Sequence, residues 1–151
     1  MRNLVIPVTF RAVMLICILF TCAGGGGTRK RICASVDVRN SVSSMNDKLR
    51  GCVVVEGSVQ IVLLEKDGEV DYANLSFPDL KEITQYLLVY RAQGMVSVGK
   101  LFPNLTIIRG TRLLGNAALA IYENAILREI GLRSLTHIMA GSVLIHKNPR
   151  K

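Results

Sequence analysis

No apolar run in the 151 residues reaches the roughly eighteen uninterrupted positions that a membrane-spanning helix needs. Histidine occurs only at His137 and His146. The first absence excludes a membrane transporter. The second leaves two imidazoles as the sole histidine partners for the cysteines in a zinc site, and neither shows ligand spacing. No Ser/His/Asp arrangement with a nucleophile elbow is present. Acid is scarcer than base, eleven Asp+Glu against nineteen Lys+Arg, for a formal charge of +8. Without Arg2 and Arg11, which sit in a removable N-terminal stretch, the excess is +6, and Arg29, Lys30, Arg31, Arg150 and Lys151 crowd the two ends. The body is therefore close to neutral, which argues against a nucleic-acid footprint. Half the residues are hydrophobic, enough for one folded domain and against a disordered tail or a large multidomain enzyme.

Residues 12–22 form an apolar block behind Arg2 and Arg11, and Thr21-Cys22-Ala23 supplies small residues before a cleavage point. Residues 1–23 read as a secretory signal; a retained signal anchor is the alternative, disfavoured because the block is short. Gly24 to Gly27 follows no strand and opens no helix, so residues 24–31 read as a flexible basic N-terminus rather than a phosphate loop. Export decides how the cysteines are read. Cys17 and Cys22 leave with the signal. Cys33 and Cys52 remain, and in an oxidising compartment a disulfide is expected, closing a loop of about twenty residues and stabilising by about 3 kcal/mol. Between them Asn40 or Ser41 is expected to cap a short helix through about Leu49, ended by Gly51.

The rest of the chain repeats. Phe77-Pro78-x-Leu80-x-x-Ile83 recurs as Phe102-Pro103-x-Leu105-x-x-Ile108, with a degraded copy at Leu132-x-x-Leu135-x-x-Ile138 and a leading copy at Cys52-x-x-Val55. The steps of 28, 25 and 30 residues lie in the range of solenoid repeats. Each anchor is followed by a short alternating run: residues 59–62, 87–90, 119–122 and 143–146. Alternation over four residues predicts a strand, with Val59/Ile61, Leu87/Val89, Leu119/Ile121 and Val143/Ile145 on the core side. One strand per repeat predicts a mainly β fold with short helices, a β-helix of stacked 25–30-residue coils. The Phe-Pro-x-Leu segments turn the corners. Between Leu127 and Leu135 helical turn and strand remain equally open.

The opposite face reads Gln60/Val62, Leu88/Tyr90, Ala120/Tyr122 and Leu144/His146. It carries no formal charge with histidine neutral, whereas a solvated strand face should be rich in Lys, Glu and Thr. An apolar, tyrosine-bearing face on a secreted domain is a candidate protein-binding surface; the competing explanation is cover by another domain or further chain.

Taken together, CASVDVRN from Cys33 to Asn40, Gly51-Cys52 with Gly57 and VQIVLL, LSFPDLKEITQYLLVYR, LFPNLTIIRGTRLLGNAALAIYEN and GSVLIHKN resemble the first ligand-binding L domain of insulin and insulin-like growth factor receptors. The resemblance runs over residues 32–148, with 149–151 left as a basic tail. It implies a right-handed β-helix capped by the N-terminal helix, a receptor ectodomain context on the extracellular side, and partners that are an insulin-like peptide hormone and a helical segment of a receptor chain. No cofactor and no metal are implied. The ligand-binding positions it carries over are Asp37, Arg39, Asn40, Gln60, Val62, Leu63, Tyr90, Tyr122 and Glu123. The chain departs from the family's bulky contacts at Glu65, Leu114, Gly115, Ala117 and Ala120, and from an arginine and an acid at Leu144 and His146. Each lost anchor removes about 2 kcal/mol of binding, so an interaction module or decoy pairing with receptor chains is the second reading. The domain is expected to be incomplete at its C-terminal end, leaving an uncapped edge and hence marginal stability or association. No kinase segment accompanies it.

Other constellations are weaker. Gly94-x4-Gly99-Lys100 imitates a nucleotide loop, but Leu101 replaces the magnesium-holding hydroxyl and Pro103 blocks the helix behind it; the glycines are expected to release the chain at a corner. Glu65, Asp67, Glu69 and Asp71 lack calcium-loop spacing, and Asp67-Gly68 signals a turn. A secreted β-helix glycosidase is the enzyme-class rival, which requires two carboxylates across a cleft. Asn74-Leu75-Ser76 and Asn104-Leu105-Thr106 are glycosylation sequons.

Overall fold

The computed structural model describes residues 31–39, 41–64 and 72–149. The expected signal, residues 24–30, Asn40, the acidic turn with Glu65, Asp67, Glu69 and Asp71, and residues 150–151 lie outside the described residues. Among the described residues eight strands and two short α-helices follow one another: β1 (Arg31–Arg39), α1 (Ser43–Leu49), β2 (Cys52–Leu64), β3 (Glu82–Ile83), β4 (Leu87–Ala92), α2 (Val98–Leu101), β5 (Ile107–Ile108), β6 (Ala117–Tyr122), β7 (His137–Ile138) and β8 (Ser142–His146). A 3-10 turn spans Tyr72–Asn74.

All strand pairings are parallel, in the order β7-β5-β3-β2-β4-β6-β8, with β1 beside β2. The thirteen residues of β2 serve both branches: Val54 and Val55 pair with β3, whereas residues 59–64 pair with β4. The repeat anchors become one aliphatic row, Val55–Ile83–Ile108–Ile138, across β2, β3, β5 and β7. The alternating runs become two more, Val36–Val59–Leu87–Leu119–Val143 and Val38–Ile61–Val89–Ile121–Ile145. Each corner is the same turn, closed by Leu80 N–H on Phe77 O, Leu105 N–H on Phe102 O and Leu135 N–H on Leu132 O. Phe77 and Phe102 point inward from these turns with ring centroids 6.2 Å apart. The degraded third copy, with Leu132 in place of phenylalanine, keeps the turn and buries its side chain only partly.

Several expectations need correction. The core column does not close at its last member. Val143 is 49 % exposed and Ile145 51 %, because among the described residues no strand lies on the far side of β8. Helix α1 begins as expected in length but not in cap: Val42 holds the N-cap position with no side-chain hydrogen bond, and Ser41 instead hydrogen-bonds Ser43 through its hydroxyl at 2.6 Å. The helix is held by Met45 and Leu49, both fully buried, and lies within the loop closed by the Cys33–Cys52 disulfide. Residues 127–135 form neither helix nor strand, apart from a single bridge between Ser97 and Glu129.

Gly94 takes the left-handed conformation expected of a corner glycine (φ 89°). Gly99 does not; its role is close approach. A Cβ there would stand 1.8 Å from the carbonyl oxygen of Gly131, where the Gly99 N–H already bonds Ile130 O at 2.7 Å. Backbone cannot yield as a side-chain tip can. Gly99→Ala is therefore expected to destabilise by about 1–3 kcal/mol, read as a lower urea midpoint with unchanged slope; an unchanged midpoint contradicts the contact.

Candidate binding face

Strand alternation sends the remaining residues of the five-strand branch to the other side, and the register aligns them in two rows. One is Asp37–Gln60–Leu88–Ala120–Leu144 and the other Arg39–Val62–Tyr90–Tyr122–His146. Of the expected positions, Asp37, Arg39, Gln60, Val62, Tyr90 and Tyr122 thus share one face, and Glu123 stands at its edge, next to Tyr122. For Leu63 only the backbone is described, within β2. Asn40 lies outside the described residues.

The face is less open than its apolar composition implies. Val62, Leu88 and Ala120 are buried, as is Ala117. The cover is intramolecular: Tyr86, Tyr90, Leu114 and Tyr122 pack over them. Leu114 comes from the turn that carries Gly115, which adopts φ 63° and has no other atom near its would-be Cβ. Gln60 is tied down as well, donating from Nε2 to the Tyr86 hydroxyl at 3.0 Å. What remains presented are ring surfaces, Leu144 at 45 % exposure, His146 and a charged rim.

The rim has two parts. At the β1 end Arg39 Nε lies 3.0 Å from both carboxylate oxygens of Asp37, and this pairing holds the guanidinium above its ordinary pKa. The Lys48 ammonium of α1 donates to the Asp37 carbonyl, joining the helix to the rim. At the other side, Tyr90 and Tyr122 stack with centroids 4.5 Å apart and planes 29° from parallel, a geometry that contributes about 0.5–1.5 kcal/mol beyond burial. The Arg91 guanidinium sits 5.1 Å from the Tyr90 ring centroid. It also pairs with Glu123 at 2.7 Å, and Lys147 reaches the second oxygen of that carboxylate at 3.3 Å. Glu123 is thus held between two cations, and the Arg91 hydrogen bond, followed by that of Lys147, lowers its pKa.

Arg91 and Lys147 were missed by sequence reasoning, as were Asn124 and Asn148 below. A recurring triplet, Tyr90-Arg91-Ala92, Tyr122-Glu123-Asn124 and His146-Lys147-Asn148, marked these positions as equivalent without revealing their backbone or partners; its middle residues all have positive φ. The two carboxylates of the face are each ion-paired, Asp37 with Arg39, and Glu123 with Arg91 and Lys147. His137 lies on β7, outside this branch. Both sequon asparagines are exposed. Asn104 donates its Nδ2 to Pro78 O at 2.8 Å, tying two successive corners. No helix among the described residues is long and apolar enough to cross a membrane.

Glu123 yields a test with a definite sign. Its carboxyl is depressed in the fold, so the stabilisation it contributes is present at neutral pH and is lost as pH falls through its lowered pKa, below the ordinary glutamate value of about 4.3. Glu123→Gln is expected to melt below the wild type at pH 7, with the gap narrowing as pH drops toward about 3. Parallel melting curves with a constant gap across that range rule the pairing out.

The receptor L domain family model matches residues 51–151. The insulin-like peptide receptor of Branchiostoma lanceolatum is 49 % identical over 118 residues, covering 78 % of this chain and 9 % of that protein. The insulin-like growth factor 1 receptor of Xenopus laevis is 48 % identical over 124 residues, 82 % of this chain and 9 % of the receptor. The insulin receptor of Xenopus laevis is 44 % identical over 136 residues, 90 % and 10 % respectively. The chain spans about a tenth of the length of these relatives.

Proposed function

The chain belongs to the receptor L domain family, and from that premise we propose that it is an extracellular ligand-binding domain of an insulin-receptor-like protein. It recognises an insulin-like peptide through the outward face of β1, β2, β4, β6 and β8, and catalyses nothing itself. The observation that carries this reading is the row Arg39–Val62–Tyr90–Tyr122–His146, which sets a stacked tyrosine pair near the Asp37–Arg39 ion pair of β1 and directly beside the Arg91–Glu123–Lys147 cluster. Aromatic centres ringed by charge are the layout in which a few residues carry most of the binding energy. The parallel repeats wind as a right-handed β-helix, residues 1–23 direct export, and a helical segment of a receptor chain shares the face with the hormone.

A second reading keeps the fold and loses the hormone. The burial of Ala117 and Ala120 favours it, since small side chains under Leu114 and the tyrosines present little surface of their own. Calorimetric titration of the purified exported chain with insulin-like peptides, with and without the receptor helix, separates the two. Saturable binding is expected in at least one condition, with Tyr90→Ala weakening it by about thirtyfold and Arg39→Ala by a smaller factor. No saturable binding in either condition, or binding indifferent to both substitutions, removes the hormone reading.

Glycans sit on the corners, at Asn104 and Asn74. One amide hydrogen of Asn104 serves Pro78, and N-glycosylation leaves one in place, so the glycan and the corner contact are compatible. Material secreted from animal cells is expected to lose mass on treatment with peptide-N-glycosidase F, with part of that loss abolished by Asn104→Gln. A mass equal to that of the unmodified polypeptide contradicts occupancy.

A further inference from the structure

Left-handed backbone at an arginine or a glutamate is uncommon and persists only where surrounding structure holds it. Arg91 (φ 48°) and Glu123 (φ 56°) both adopt it, where β4 and β6 end. There the β4–β6 and β6–β8 ladders end, at Tyr90↔Tyr122 and Tyr122↔His146, and polar groups facing the next repeat on either side of the kink need other partners.

The next repeat supplies them from a single side chain. Asn124, fully buried, donates Nδ2 to Val89 O at 3.2 Å and accepts at Oδ1 from the Ala92 N–H at 3.0 Å, bracketing Arg91. Asn148 repeats the arrangement one strand further on. Its Nδ2 donates to Ile121 O at 2.8 Å and its Oδ1 accepts from the Asn124 N–H at 3.0 Å, bracketing Glu123. The two carboxamides are themselves joined, Asn124 Nδ2 lying 3.0 Å from Asn148 Oδ1 and 3.1 Å from Tyr122 O.

We propose that Asn124 and Asn148 are positioning residues of the binding face. By bracketing the two left-handed corners they aim Arg91 and Glu123 along the tyrosine row, which places the Arg91 guanidinium over Tyr90 and pairs it with the Glu123 carboxylate. The functional part rests on the reading of this face as a peptide-binding site; the geometric part is read without ligand. An asparagine is suited to the task because its amide is donor and acceptor at once, as carbonyl and N–H on opposite sides of a kink require.

The test uses Asn124→Ala and Asn148→Ala in the full chain, followed by NMR and by peptide titration. Asn124→Ala is expected to speed amide exchange at Ala92 by at least about tenfold and to shift the ring resonances of Tyr90 and Tyr122, while the amides of Val55, Ile83 and Ile108 keep their protection. Asn148→Ala is expected to act on the Asn124 amide and on the Tyr122 ring. Each variant is expected to bind an insulin-like peptide about tenfold more weakly. Unchanged exchange at Ala92 with unchanged ring shifts overturns the proposal, and so does a uniform loss of protection through the whole sheet in both variants. If Asn124→Ala does not fold, Asn148→Ala, whose site is only partly buried, decides by the same measures. Should the unsubstituted chain bind no such peptide, the hormone reading fails, and the exchange and ring-shift results still judge the corners.

Discussion

Everything on the candidate face depends on the register of the parallel strands. A strand alternates its side chains with period two, so a slip by one residue exchanges faces along its whole length. In the observed register Val38, Ile61, Val89, Ile121 and Ile145 fall in one inward row, and Arg39, Val62, Tyr90, Tyr122 and His146 in the adjacent outward one. A slip of β4 would bury the Tyr90 hydroxyl and expose Val89, losing about 2 kcal/mol of apolar burial at that residue alone. The hydrophobic rows thereby dictate where the tyrosines meet.

Repetition then turns local features into columns. The same turn recurs at Phe77, Phe102 and Leu132, so a side chain that bonds backward once can do so again. Asn104 reaches Pro78 O, and Ser134 reaches Pro103 O at 2.6 Å. Thr106 reaches Lys81 O, and Thr136 reaches Thr106 O. The buried asparagines do the same at the far corners. These bonds tie each repeat to the one before it.

Self-cover sets the character of the face. An exposed row of Val62, Leu88 and Ala120 would be a broad sticky surface, and the fold avoids it by laying Tyr86, Leu114, Tyr90 and Tyr122 across these residues. The face that remains is narrow, ring-bearing and bounded by charge. Leu144 and His146, on β8, are exposed.

Much of this was legible in the chain. The Phe-Pro-x-Leu spacing located the turns because proline restricts its own backbone and its predecessor's, a local effect that needs no tertiary context. The alternating runs located the strands, and the cysteine pair its bridge, which encloses α1. The cap of α1 was misread because burial of Met45 and Leu49 outweighs the choice of capping side chain. Asn124 was invisible for a different reason: nothing beside it in sequence reveals that its partners are Val89 and Ala92, 35 and 32 residues away. Likewise, alternation showed that Leu88 and Ala120 face outward, but only the assembled sheet brings Leu114 and Tyr86 over them. The sequence by itself determined which residues are extended, which turn and which side each faces, because these follow from steric preference and period-two geometry. Which outward residues are open, which corners are left-handed and what holds them was decided by tertiary structure alone, since burial and hydrogen bonding between repeats are set by neighbours that stacking, not chain order, supplies.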